Sequence, residues 1–308
     1  METPPSTQDH PLAGILLMMS GIACFAVMDA TIKWLTSEFH VTQIVALRSW
    51  FGLPILFFLV YLEGGIPKLK TRKPGAHFFR YLLVIAMSFS FFWVLSQMKL
   101  VDAIAITFAA PILITALSVP LLKEPVGMQR WSAILVGFLG VLIMLRPGAG
   151  VFQWAALVAL GSTIVYALLM ISTRMLKSTE STASLMFYPQ FGMALSGFFF
   201  APLYWITPSP IEFALFAMAG TFGSLGILCL VNAFRLAPVA TVSPFEYTAL
   251  VWATLIGYLV FDELPDALTM TGAAVVIASG LFILYRETVT TRKVQPKLPG
   301  MSPDDTGQ

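Results

Sequence analysis

The sequence predicts an all-α integral membrane protein of ten spanning helices, arranged as two inverted five-helix repeats. Three observations predict it. Of the 308 residues, 57% are hydrophobic and only 11% charged, against about 25% charged in a soluble domain. So few polar side chains cannot cover a globule of this size, and the bilayer must be the solvent. The apolar residues are gathered into runs long enough to cross a membrane. Finally, the first half of the chain can be laid on the second with charged and small polar residues in register.

A spanning helix needs about 20 mostly apolar residues at 1.5 Å each. That rule places helices near 11–35, 41–61, 76–98, 101–121, 127–145, 151–174, 183–205, 211–234, 238–260 and 265–285. Breakers mark several ends: Gly64, Gly65 and Pro67; Arg146, Pro147 and Gly148; Pro208 and Pro210. The third and fourth helices are separated only by Lys99 to Asp102, which predicts a tight antiparallel hairpin. Lipid offers no partner for a bare amide, so helices are the economical way across.

Orientation follows from the cations. With the N-terminus in the cytoplasm, that side holds Lys68, Lys70, Arg72, Lys73, Arg80, Lys123, Arg130, Arg174, Lys177, Arg235, Arg286, Arg292, Lys293 and Lys297. The opposite side holds Lys33, Lys99 and Arg146, and Arg48 alone lies well inside a span. The bias predicts a multi-pass protein of the cell (inner) membrane with both termini cytoplasmic. Residues 1–10 read as a polar N-terminal tail that lacks the basic segment of a secretory signal, followed by a first span retained in the mature protein. Residues 11–146 and 151–286 form the two five-helix units, and 287–308, polar and proline-rich, read as a flexible cytoplasmic tail.

Several function classes drop out. A net charge of +2 and the lack of basic runs interleaved with aromatics argue against nucleic acid. Cys24 and Cys229 each sit within an apolar run and read as free membrane thiols. No spacing of Cys and His suits a metal, and no cofactor is expected. His10, His40 and His77 read as lying outside the spans, which speaks against a histidine proton relay.

The internal repeat is carried by particular residues. Phe25, Ala26, Lys33, Leu35 and Ser37 fall on Tyr166, Ala167, Arg174, Leu176 and Ser178; Lys99-Leu100 falls on Arg235-Leu236; Glu124 falls on Glu263 and Leu145 on Leu284. Because five is odd, the second unit enters the membrane from the other side, which relates the copies by a pseudo-two-fold axis in the membrane plane. Such repeats are typical of secondary transporters, where exchanging the two halves' conformations turns an inward-open cavity into an outward-open one.

The chain resembles the EamA family of the drug/metabolite transporter superfamily from Leu12 to Tyr285. Phe108-Ala-Ala-Pro111, Leu121-Leu-Lys-Glu124 and Trp131 to Leu145 with Gly137 and Gly140 carry the resemblance in the first half. Phe234-Arg-Leu-Ala-Pro238, Ser243 to Tyr247 and Phe261-Asp-Glu263 carry it in the second. The resemblance implies ten helices around a central cavity, and within the family the chain looks most like exporters of aromatic amino acids.

Polar groups inside spans are costly unless paired or wetted, so they are the site candidates. Asp29 and Arg48 lie at similar depths, about 9 and 10 Å into the first and second helices, and read as a gating or structural pair, with Lys33 as an alternative partner for Asp29. Glu246, about 12 Å inside the ninth helix, can take a proton or a substrate ammonium, or can merely be capped by Tyr247 or Thr248. Phe25, Trp93 with Gln97, Tyr166, Tyr188 with Gln190, Asn232 and Tyr247 complete the candidate substrate site. Pro111 and Pro244 interrupt backbone bonding in repeat-related helices and read as hinges. Gly137, Gly140, Gly272 and Gly280 read as places of close helix packing.

The reading is a secondary transporter that exports small, uncharged or zwitterionic metabolites such as amino acids by alternating access, its partners a small-molecule substrate and the bilayer, with a monomer sufficient. An organic-phosphate or nucleotide-sugar antiporter would want several deep cations, and a membrane transferase would want a cluster of His or carboxylates; neither is seen. Cysteines placed at positions 70, 123 and 293 are expected to label from the cytoplasm, and cysteines at 209 and 266 from outside. Labelling of 70 and 209 from one side would end the inverted-repeat reading.

Overall fold

A computed structural model describes residues 11–123, 128–145, 152–176, 179–237 and 242–294. The described residues are helical, with short connections. The helices are α1 (Pro11–Leu35), α2 (Val41–Leu62), α3 (Pro74–Gln97), α4 (Leu100–Thr107), α5 (Ala110–Leu122), α6 (Met128–Leu145), α7 (Phe152–Leu176), α8 (Thr182–Phe200), α9 (Pro210–Leu236), α10 (Thr248–Phe261) and α11 (Ala267–Val294). Short 3₁₀ turns occupy Ile66–Leu69, Ala201–Tyr204 and Ser243–Tyr247. Among the described residues seven runs are long and apolar enough to cross a bilayer, and Trp131–Leu145 and Ala267–Ile283 are shorter apolar helices.

Local chemistry sets the ends. Ser209 and Glu212 form a capping box at the start of α9, each side chain bonded to the other's backbone amide, with Pro210 in the first turn, where its missing N–H costs nothing. The Oγ of Ser181 accepts from the Ser184 amide and caps α8.

Two expected helices are each in two pieces. The run expected over 101–121 is broken at Phe108 and Ala109, with Pro111 in the first turn of α5. Of the run expected over 238–260, the described residues begin at Val242, pass through the 3₁₀ turn Ser243–Tyr247 and continue as α-helix from Thr248. Pro111 in the first turn of α5 and Pro244 in the first turn of the 3₁₀ segment each lack an N–H for the preceding turn and clash with its carbonyl, which accounts for the irregular backbone at both places. The seventh run ends at Phe200 rather than 205 and closes in a 3₁₀ turn containing Pro202. At the other extreme α11 runs on to Val294, because no Gly or Pro intervenes, so 287–294 is helical rather than tail.

The helices pack in reciprocal fashion. α1 lies against α9 and α3 against α7; α2 contacts α9 and α3 contacts α8; α1 contacts α10 while α4 and α5 contact α7. α2 pairs with α8 and α6 with α11. Exchanging each helix for its counterpart in the other half leaves this set of pairings unchanged. Glycines permit close crossings: a Cβ on Gly140 would stand 2.9 Å from the Gly272 carbonyl oxygen, and one on Gly272 would stand 2.7 Å from that of Gly140. As expected of small residues between membrane helices, they let α6 and α11 touch backbone to backbone.

A second correspondence lies in the backbone. Lys123 and Asp262, both at φ 54°, are the two non-glycine residues with left-handed backbone among the described residues. They end α5 and α10 directly before Glu124 and Glu263. Glu124 lies outside the described residues, as do Arg146, Pro147, Gly148, Lys177, Ser178, Pro238 and Lys297.

Glu263 anchors one end of the bundle. Its two carboxylate oxygens accept from Lys33 Nζ at 2.8 and 2.9 Å, and Oε2 also accepts from the Leu100 amide at 3.1 Å. Lys33 Nζ donates further to the Met98 carbonyl at 2.7 Å, and Lys99 Nζ donates to that of Leu264 at 2.9 Å. Lys33 therefore joins α1 to the α10–α11 connection and is not the partner of Asp29. At the same end Gln43 exchanges two hydrogen bonds with the backbone of Ile206. Inside the bundle Arg80, 5% exposed, donates to Ser172, Thr173 and the carbonyls of Leu169 and Leu185, tying α3 to α7 and α8.

Lys33→Ala and Glu263→Gln are each expected to lower the unfolding temperature in detergent. The double variant should lose less than the sum, by about 0.5–3 kcal/mol of coupling, as residues in one network do. Additive losses would show that the two side chains act separately.

Candidate functional site

The bundle brings Asp29 of α1 and Arg48 of α2 into one buried region, but not into direct contact. Their charges interact through space, yet no N–O distance between them falls within 4.0 Å. The Arg48 guanidinium lies over the Phe92 ring, 5.1 Å from its centroid, and its Nη1 is 3.3 Å from Met28 Sδ. Gly223 on α9 makes room for both: a Cβ there would meet Met28 Sδ at 2.7 Å and Arg48 Nη1 at 3.1 Å. Asp29 Oδ1 and Arg48 Nε are buried without a hydrogen-bond partner, and so is the neighbouring Ser49 hydroxyl. A buried polar atom left unsatisfied costs about 1–3 kcal/mol, more when charged.

A second group forms around the 3₁₀ turn before α10. Glu246 interacts electrostatically with Tyr166 of α7. Among the described residues no hydrogen bond or ion pair reaches its carboxylate. The hydroxyl capping anticipated for it is not there: Thr248 Oγ1 donates to the Phe245 carbonyl, and the Tyr247 hydroxyl is buried without a partner beside Gly280. The Tyr247 ring packs edge-on against Phe108 at 5.3 Å, beside the break between α4 and α5. Phe25 packs in the same core as Tyr247, its ring against Gly226 of α9. Phe25, Tyr166, Glu246 and Tyr247 are thus drawn from three elements of both halves, with Pro111 and Pro244 at the adjoining helix breaks.

Other candidates go elsewhere. Trp93 and Gln97 are exposed on α3, and the Gln97 amide donates to Ser96. Phe92, one residue earlier, is the ring on Arg48; it shares a buried face with Ser88 and Leu95, a spacing the sequence does carry. Tyr188 donates to the Leu69 carbonyl and lies 4.6 Å from the His77 ring, between α3 and α8. Gln190 abuts Gly52 on α2, and Asn232 donates to the Leu228 carbonyl of its own helix.

His77, expected outside the spans, sits in the first turn of α3 with its Nε2 3.1 Å from Glu180 Oε2. Burial pushes the Glu180 carboxyl up, but hydrogen bonds from the His77 and Thr71 side chains, the charge of His77 and the Arg72 amide outweigh it and hold the group below the ordinary carboxylate range.

Among the described residues no group of three or more His, Cys, Asp or Glu is placed to hold a metal ion. The profile of the EamA-like transporter family matches residues 12–146 and again 153–285. The chain belongs to the EamA-like transporter family. As a member it is a multi-pass membrane transporter and not an enzyme. It is 32% identical to the S-adenosylmethionine uptake transporter of Rickettsia prowazekii over 277 residues, covering 90% of this chain and 94% of that one. It is 28% identical to the riboflavin transporter of Vibrio cholerae, covering 94% of this chain and 98% of that one. A crystal structure superposes with a TM-score of 0.63 over 92% of this chain and 99% of its own at 16% identity, which shows a shared fold.

The Glu180–His77 contact sets an acid limit on this EamA-family fold. A carboxyl held low in the folded state stabilises above its unfolded value near 4.5, and that stability is lost as pH falls through the folded value. Thermal unfolding should find Glu180→Gln several degrees less stable than wild type at pH 7, with the gap closing below pH 4.5. A gap that stays constant to pH 3 would exclude the carboxylate as its cause.

Proposed function

We propose that the chain is a secondary carrier that takes up a small zwitterionic metabolite bearing an aromatic ring, of the S-adenosylmethionine kind, by alternating access. The observation that carries this is the pair of buried opposite charges, Asp29 and Arg48, each with an unsatisfied polar atom and not in ion-pair contact with each other. An α-amino group suits Asp29 and an α-carboxylate suits Arg48. Glu246, with Tyr166, Phe25 and Tyr247 around it, suits a further cation and a flat ring, since aromatic faces attract cations.

Ten spans in two inverted repeats serve as the machine. The reciprocal helix pairings, the two matches to one family profile and the repeat-related left-handed residues Lys123 and Asp262 support that architecture. The broken spans, α4 with α5 and the 3₁₀ turn with α10, place irregular backbone beside the candidate site, as transporters do where backbone meets a cavity. One chain carries both halves, so a monomer suffices, with both termini in the cytoplasm of a cell (inner) membrane as the cation bias requires.

Amino-acid export, the direction drawn from sequence resemblance, has no support in the relatives' names, and a named uptake transporter favours inward movement. An organic-phosphate antiporter is disfavoured because Arg48, already lying on Phe92, is a single cation. The riboflavin-transporting relative supports an aromatic, uncharged alternative substrate.

Counterflow in proteoliposomes tests the reading. Labelled S-adenosylmethionine should exchange, and Asp29→Asn and Arg48→Ala should each slow it at least tenfold, about 1.4 kcal/mol of lost interaction. Exchange of riboflavin or phenylalanine but not S-adenosylmethionine would overturn the substrate class. Transport is facilitative on this reading, so a pH gradient should drive no accumulation above equilibrium, and Glu246→Gln should alter affinity alone. Accumulation under that gradient, abolished in Glu246→Gln while exchange persists, would instead establish proton coupling.

A further inference from the structure

We propose that the groove between α3 and α8 binds one anionic phospholipid, an acyl chain lying in the groove and the phosphate resting on the basic α2–α3 loop. Two clefts run along this surface. One of about 520 Å³ is walled by Tyr81, Phe191 and Leu195, and one of about 330 Å³ is walled by Ile85, Phe89 and Leu203. Ser196 and Phe200 line both, so they are successive stretches of one apolar channel. Small residues hollow its floor: a Cβ on Gly192 would strike the Tyr81 ring, and one on Gly197 would strike Ala46. α8 is about 28 Å long at 1.5 Å per residue, close to the hydrocarbon thickness of a bilayer.

One mouth of the groove is charged. Thr71 and Pro74 line it, and Lys68, Lys70, Arg72 and Lys73 flank them, all four exposed. Among the described residues none of these cations takes part in an ion pair. Just inside the mouth lies His77, 3% exposed, with Nε2 turned to Glu180 and Nδ1 buried without a hydrogen-bond partner. A phospholipid puts phosphate, glycerol and ester oxygens at that depth and a hydrocarbon chain beyond it. Four cations in six residues select a net negative headgroup over a zwitterionic one, since each basic residue near a membrane surface favours anionic lipid.

The test uses the full chain in detergent, offered equal amounts of phosphatidylglycerol and phosphatidylcholine with identical chains and read by native mass spectrometry. One phosphatidylglycerol per chain should be retained in preference. Removing three cations together in Lys70→Ala/Arg72→Ala/Lys73→Ala should lower that preference, roughly fivefold for each cation removed. Ser196→Phe, which fills the groove and leaves the cations in place, should lose bound lipid of either headgroup; Leu195→Trp asks the same question should the first variant not fold. Equal retention of the two lipids by wild type would overturn the proposal. So would an undiminished phosphatidylglycerol preference in the groove-filling variant, which would assign the effect to the basic loop alone. Either result leaves the transport reading untouched.

Discussion

Hydrocarbon supplies no hydrogen bonds, and most of this structure follows from meeting that demand internally. Helices satisfy their own amides along their length, so the difficulties gather at helix ends, at breaks and around buried ions. Each is met by a specific contact. Arg80 spends its donors on two hydroxyls and two backbone carbonyls of neighbouring helices. Gln43 closes both polar groups of Ile206 where the chain leaves the 3₁₀ turn after α8. Glu263 accepts the Leu100 amide, which the start of a helix would otherwise leave open. His77, Arg80 and Glu180 also leave one polar atom open, but their other atoms are tied to oxygen or nitrogen partners, whereas Arg48 reaches only Met28 Sδ and Asp29 Oδ1 has no partner among the described residues.

The reciprocal packing gives those atoms their setting. Helices α1, α2, α3 and α9 surround Arg48, and the turn before α10 meets α7 around Glu246, so both groups straddle the two halves of the chain. A site built in this way changes shape whenever one half tilts on the other. Glycines bring backbone against backbone both where α6 crosses α11 and beside the Arg48 group, where a Cβ on Gly220 of α9 would strike the Arg48 carbonyl oxygen.

Much of this was legible in the sequence, and the omissions have physical causes. Apolar run length located the helices, and Pro111 and Pro244 marked where two of them are discontinuous, although the runs were read as unbroken. The choice of Trp93 over Phe92 shows the limit of depth arguments: adjacent residues share a level in the membrane but point about 100° apart at 3.6 residues per turn. Pairings between distant residues were not legible at all. Lys33 meets Glu263 across 230 positions and His77 meets Glu180 across 103, and one chain without aligned relatives carries no sign of such contacts. Similar depths were read for Asp29 and Arg48, whereas the partners Arg48 takes, Met28 Sδ and the Phe92 ring, could not be read from depth.

The position of the Lys33–Glu263 contact bears on turnover. Its side chains retain 12% and 22% of their exposure, so the pair stands at the edge of the bundle rather than in its core. Parting two ions at such an edge returns both to water, and the hydration regained offsets most of the attraction lost. A plug of apolar side chains over the same area would release no such compensation, and each opening would have to expose hydrocarbon to solvent. A contact of this kind can therefore part and re-form at little cost.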